Sequence, residues 1–209
     1  CALAACLCAA LALGILVRLS SSEVVTASGF LTVTAYAASS EEGQVLQEGM
    51  ELPLDYSWSP AMSSRPGLPL ELCAPDHPEA AFAVSAEEGT LLLWENAEIQ
   101  YMETPLYAEN GETIYWTSLS QADDGGFTTY TGRTAYIRIT IYEGEHIAGY
   151  AVVQIYAANQ EEDPLPAYRA RLLQSVSFPR VNGGYQQITE EYVQAEMDRI
   201  QTETAQGAS

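Results

Sequence analysis

The sequence predicts a mainly β protein: an immunoglobulin-like antiparallel β-sandwich, preceded by an N-terminal transmembrane helix and followed by a strand and a short C-terminal amphipathic helix. Three observations predict it. Short segments of alternating or β-branched residues recur along the chain with turn residues between them. No long helical pattern runs through the body. Cys1 to Val17 carry no charged side chain, whereas everything after them is acidic and aromatic. The Cys–Trp–Cys arrangement of antibody domains is absent, so the order of the strands stays open.

The apolar run comes first. A helix crossing a bilayer needs roughly 20 apolar residues, with about 17 as the lower limit. Cys1 to Val17 meets that limit, and Leu19 extends it past Arg18, whose side chain can snorkel. The chain opens on Cys, and the positive residues that set orientation are expected upstream. An uncleaved signal anchor competes with a cleaved signal peptide. Val25-Thr26-Ala27 has the small residues of a cleavage site, but a cut there would split a strand-like segment, so the anchor is preferred. Leu3-Ala4-Ala5-Cys6 matches a lipoprotein box, yet the apolar region continues beyond it.

The expected division is a transmembrane anchor over residues 1–19, a sandwich over 20–157, a connector over 158–166 and a strand–helix unit over 167–209. In residues 24–36, Leu31, Val33 and Ala35 oppose Phe30, Thr32, Thr34 and Tyr36, and Gly29 marks a bulge. Glu41-Glu42-Gly43 ends this segment. Met50, Leu52, Leu54 and Tyr56 alternate around Pro53, which predicts an edge strand because proline cannot donate to the ladder. Residues 58–69 read as a loop, and residues 68–72, 81–86, 90–94, 99–102 and 113–116 as short strands. Asn110-Gly111 is a turn signal, and residues 121–126 form a polar loop.

Residues 134–156 form the clearest unit. Ala135, Ile137, Ile139 and Ile141 line one face of a strand, and Tyr136, Arg138, Thr140 and Tyr142 the other. Glu143-Gly144-Glu145 turns the chain into a returning strand, which makes an antiparallel hairpin. Residues 171–178 read as a further strand and Asn182-Gly183-Gly184 as a turn. Thr189 is a helix N-cap, with Glu190 and Glu191 at the positive end of the dipole and Ile188 and Val193 at staple positions. Val193, Met197 and Ile200 make an apolar stripe on the helix over 190–202, and residues 203–209 read as a disordered tail. The stripe must bury on the sandwich or on another protein.

Composition excludes several functions. The formal charge is −20, with no lysine among the eight basic residues, which opposes nucleic acid and anionic lipid and removes Schiff-base chemistry. Three of the four cysteines lie in the apolar run, so Cys73 has no disulfide partner in the body and reads as a buried thiol. His77 and His146 lack metal-site spacing and read as surface histidines; no catalytic, metal or cofactor residue is expected. Asp123-Asp124-Gly125-Gly126 reads as a turn rather than a calcium loop. Glu95 and Glu98 imitate a glycosidase pair only by chance among 28 carboxylates.

Thirteen tyrosines and three tryptophans exceed what a small core needs. Tyr136 and Tyr142 share one strand face, and Tyr150 and Tyr156 share one on the partner strand. They form either a half-exposed face covered by the C-terminal unit or a binding face for glycan or peptide. Trp58 and Trp116 read as core.

Two stretches carry a resemblance: Tyr56-Ser57-Trp58-Ser59-Pro60-Ala61-Met62 with Arg65-Pro66-Gly67-Leu68-Pro69, and Ile188-Thr189-Glu190-Glu191-Tyr192-Val193. With the leading apolar segment, the chain resembles uncharacterised membrane-anchored extracytoplasmic proteins of Gram-positive bacteria. The resemblance implies a membrane location and no activity. The resulting expectation is a single-pass envelope protein whose partner is the membrane and an envelope protein or glycan. A structural or sensory ectodomain is the alternative, and a carboxylate-dependent hydrolase the third.

Overall fold

The computed structural model describes residues 31–36, 43–54, 67–95, 98–101, 104–121, 127–129, 134–158, 167–181, 184–185 and 187–207. The expected transmembrane segment, Gly29, Trp58 and Asp123-Asp124-Gly125-Gly126 lie outside these residues, and the side chains of Glu95 and Glu98 are likewise not described. Among the described residues, no helix is long and apolar enough to cross a membrane.

The strands run in chain order as β1 (Thr32–Tyr36), β2 (Gly43–Leu46), β3 (Glu51–Pro53), β4 (Leu68–Cys73), β5 (Ala80–Ala86) and β6 (Thr90–Glu95). There follow β7 (Glu98–Tyr101), β8 (Leu106–Glu109), β9 (Thr113–Thr117), β10 (Leu119–Gln121) and β11 (Phe127–Thr129). The chain then forms β12 (Thr134–Glu143), β13 (His146–Ala157), β14 (Tyr168–Ser177), β15 (Arg180–Val181), β16 (Gly184–Tyr185) and the helix α1 (Glu190–Gly207).

Two six-stranded antiparallel sheets form a β-sandwich, one in the order β2-β1-β4-β9-β6-β7 and the other β3-β14-β13-β12-β5-β8. Alternation decides what faces inward. Val33 and Ala35 of β1, Leu70 and Leu72 of β4, and Ile114 and Trp116 of β9 join Phe82, Val84, Ile137, Ile139, Ile141, Val153 and Ile155 in one buried cluster between the sheets. Trp116 and Tyr168 meet edge-on across it, with ring centroids 5.6 Å apart. The Trp116 indole N–H donates to the Glu88 carbonyl at 2.9 Å, which satisfies the one polar atom of this side chain.

β3 lies at a sheet edge, where Pro53 costs no ladder bond. β14 is an interior strand, paired to both β13 and β3. The expected antiparallel β12–β13 hairpin is present, its register running from Thr134 opposite Tyr156 to Glu143 opposite His146. It is interrupted between Ile141 and Tyr142, where Ile141 opposes Gly149 and Tyr142 opposes Ile147, so Ala148 is an extra residue. This bulge turns Ile147 to the outer face of the sheet and sends Ala148 into the core.

Three expectations are corrected. Residues 203–207 are helical, not a disordered tail: Arg199 ion-pairs with Glu203 at 2.8 Å, and the Thr204 hydroxyl donates to the Ile200 carbonyl. Cys73 is half-buried, not buried, because it ends β4 on its outer face. His77, expected at the surface, is half-buried: its Nδ1 lies 2.7 Å from Glu143 Oε2, and Arg180 also reaches that carboxylate. His146 is exposed, as expected.

Candidate functional site

The site is set by where α1 packs. Thr189 caps the helix, its hydroxyl accepting from the Tyr192 amide at 3.3 Å. Val193, Met197 and Ile200 then fall on one side and are buried at 1%, 3% and 6% exposure. They pack on the outer face of the second sheet, against Tyr136, Ile147, Tyr150 and Val152. Burying each such side chain contributes roughly 1.5–3 kcal/mol, enough to hold a helix that would be marginal alone. The sheet, rather than a second protein, therefore covers the apolar stripe.

The four tyrosines separate in consequence. Tyr136 and Tyr150 are buried under the helix, and burial pushes both phenols up from their ordinary value. Tyr156 lies toward the β3 edge, where the Arg171 guanidinium sits 5.4 Å over its ring. One polar row runs across four strands there. The Gln154 amide donates to the Tyr136 hydroxyl at 3.3 Å, Arg171 Nε donates to Gln154 Oε1 at 2.6 Å, and Arg171 Nη1 stands 3.7 Å from Glu51. The hydrogen bond from Tyr156 holds the Glu51 carboxyl below its usual range, against the raising effect of burial, with Arg169 and Arg171 adding to the lowering. Tyr142 lies at the other end of the helix.

There the structure forms a groove of about 390 Å³. Its origin is a register row, Tyr107 of β8, Ala83 of β5, Thr140 of β12 and Tyr150 of β13 standing side by side. The helix packs on the row over β12 and β13. Over β5 the outward side chains are Ala81, Ala83 and Ser85, too small to fill the space beside a helix. Tyr107 then rises from β8 as the far wall, 64% exposed. The near wall is Tyr142, Glu190, Glu191, Gln194 and Met197, and Pro105 closes one end.

Two side chains of the near wall are tied together. The Tyr142 hydroxyl donates to Glu190 Oε1 at 2.9 Å. Burial first, then that hydrogen bond and the nearby carboxylate charge, push this phenol up to about 12, so it is a neutral donor throughout the physiological range. Below the groove, Arg138 Nη2 reaches Glu87 Oε1 at 2.6 Å, Asp198 Oδ1 at 2.8 Å and Gln201 Oε1 at 2.5 Å. The groove thus combines an exposed ring, a fixed carboxylate, a second carboxylate and the hydroxyls of Ser85 and Thr140. Such a set is chemically suited to stacking and hydrogen bonding with a polar group. Among the described residues, no group of three or more metal-ligating side chains converges.

Of the expected site residues, only Tyr142 and Met197 line this groove. Tyr107 of β8 and Ser85 of β5 join them, with Glu190 and Glu191 from the same helix as Met197. Tyr107 carried a local signal: in Leu106-Tyr107-Ala108-Glu109 the alternation places a large ring on the outer face of a strand. No protein-family model, curated protein or solved structure matches this chain.

Proposed function

We propose that this chain is an extracytoplasmic binding or interaction module of the cell envelope, held at the membrane by its N-terminal apolar segment, with the groove beside α1 as the ligand site. The observation that carries the proposal is Tyr107, a large aromatic side chain 64% exposed at the lip of a walled depression. Rings in that position supply rigid contact area at low entropic cost and dominate many binding surfaces. The apolar Cys1-to-Val17 run followed by an acidic body supports the location. The net charge of −20 opposes a nucleic-acid ligand.

The test is retention of solubilised envelope components on the immobilised 209-residue chain, compared with its Tyr107→Ala variant. The expected result is at least one envelope component retained about fivefold less by the variant. Equal retention by both proteins removes the groove from the function. Retention of cytosolic but not envelope components overturns the envelope role.

A further inference from the structure

On the premise that this groove is the ligand site, we infer that its ligand is cationic: a Lys- or Arg-containing segment of a partner polypeptide, extended along β8. Glu190 and Glu191 both line the groove, and among the described residues no basic side chain does. Their placement in the first turn of α1 is also explained by the helix dipole, but that offsets only about half an elementary charge of the two. The remainder faces a 390 Å³ space. Arg138, two residues along β12 from Thr140, is already shared between Glu87 and Asp198.

Two further features select a basic side chain over other cations. Tyr107 offers an exposed ring face, which attracts guanidinium and ammonium groups. The floor of Ala83 and Ser85 leaves room for a long apolar stem, so a Lys or Arg side chain can lie flat with its charge at Glu190. Glu190 is prepositioned for it by the Tyr142 hydroxyl at 2.9 Å.

The extended form follows from β8 being the outermost strand of its sheet. Its Tyr107 and Glu109 project outward while Leu106 and Ala108 are buried. A strand added to this edge would place every second side chain on the groove face, beside Tyr107. The charge of −20 raises the rate at which a basic segment arrives.

The test is calorimetric titration of the 209-residue chain with a blocked peptide of alternating Arg and Thr. The comparison ligands are the same peptide with neutral citrulline for Arg and a chito-oligosaccharide. The Arg peptide is expected to bind, about tenfold tighter than the citrulline peptide, and to weaken about fivefold in Tyr107→Ala and about tenfold in Glu190→Gln/Glu191→Gln. Equal binding of the citrulline peptide overturns the inference. So does Arg-peptide binding indifferent to all three substitutions, which is attraction to the acidic surface alone. Saccharide binding that depends on Tyr107, without peptide binding, keeps the groove as the ligand site and overturns the ligand class. If no ligand responds to Tyr107→Ala, the groove itself falls.

Discussion

Arg138 Nη2 lies 2.8 Å from Asp198 Oδ1, so the β12–β13 hairpin is ion-paired to the helix that covers it. The Arg138 side chain is only 11% exposed, while Asp198 and Glu87 are 55% and 43% exposed. The same guanidinium therefore links the sheet, the Glu87 turn and α1.

Replacing Arg138 by methionine removes these links but keeps the packing volume. Exposed partners make each ion pair worth little, about 0.2–1 kcal/mol. Arg138 Nε is buried without a hydrogen-bond partner, so the substitution also removes an unsatisfied donor. The expected loss in urea unfolding is about 1 kcal/mol or less. Amide exchange in the second half of α1 should nonetheless quicken, and unchanged exchange there would show that the arginine does not dock the helix.

Met197→Ala should act more strongly, because Met197 is 3% exposed between the helix and the sheet. Truncation of a buried methionine costs about 2–5 kcal/mol. The cost should appear first as loss of protection over α1 and greater quenching of tyrosine fluorescence as Tyr136 and Tyr150 gain solvent. A variant with wild-type exchange in α1 would show that Val193 and Ile200 suffice.

Gly89 and Gly144 make a controlled pair. Both have positive φ, +80° and +61°. A Cβ on Gly144 meets nothing within 4 Å, so Gly144→Ala should cost about 1 kcal/mol from backbone strain alone. A Cβ on Gly89 would strike the Thr117 carbonyl and come within 2.7 Å of the Trp116 indole nitrogen. Gly89→Ala should therefore cost at least ~2 kcal/mol more and shift tryptophan emission. Equal melting temperatures for the two variants would contradict this packing.

Alkaline pH should release the helix. Tyr142 is raised to about 12, and Tyr136, Tyr150 and Tyr156 are also raised, burial being the largest cause in each. A raised folded-state pKa means stability is fully present below the unfolded phenol value of about 10 and is lost as pH rises through the folded values. Stability should thus be flat up to about pH 10 and fall toward pH 12. Tyr142→Phe should reduce that fall. A phenolate absorbance titration with every tyrosine ionising near 10 would refute the burial of this face.

Much of the fold was legible because a strand with one buried face writes its alternation into the chain. Ala135, Ile137, Ile139 and Ile141 announced β12, and Pro53 announced an edge. β2 and β8 were not read: β2 opens directly on the Glu41-Glu42-Gly43 break, and the alternation of Leu106-Tyr107-Ala108-Glu109 runs straight into the Asn110-Gly111 turn. The bulge at Ala148 was hidden for a different reason, since a single extra residue is visible only against the partner strand.

The sequence by itself determined the apolar start, the acidic body, the strand-rich class and the C-terminal helix with its stripe of Val193, Met197 and Ile200. Each of these is a local property, written in consecutive or regularly spaced side chains. Only the tertiary structure decided that the stripe lies on the sheet, that Tyr136 and Tyr150 are buried while Tyr142 lines a groove, and that Tyr107 stands opposite Glu190. Those outcomes depend on strand order and on how far one helix reaches across a sheet. Neighbours such as Tyr107, Ala83 and Thr140 are set side by side by ladder pairing between distant segments, and no local pattern encodes that pairing.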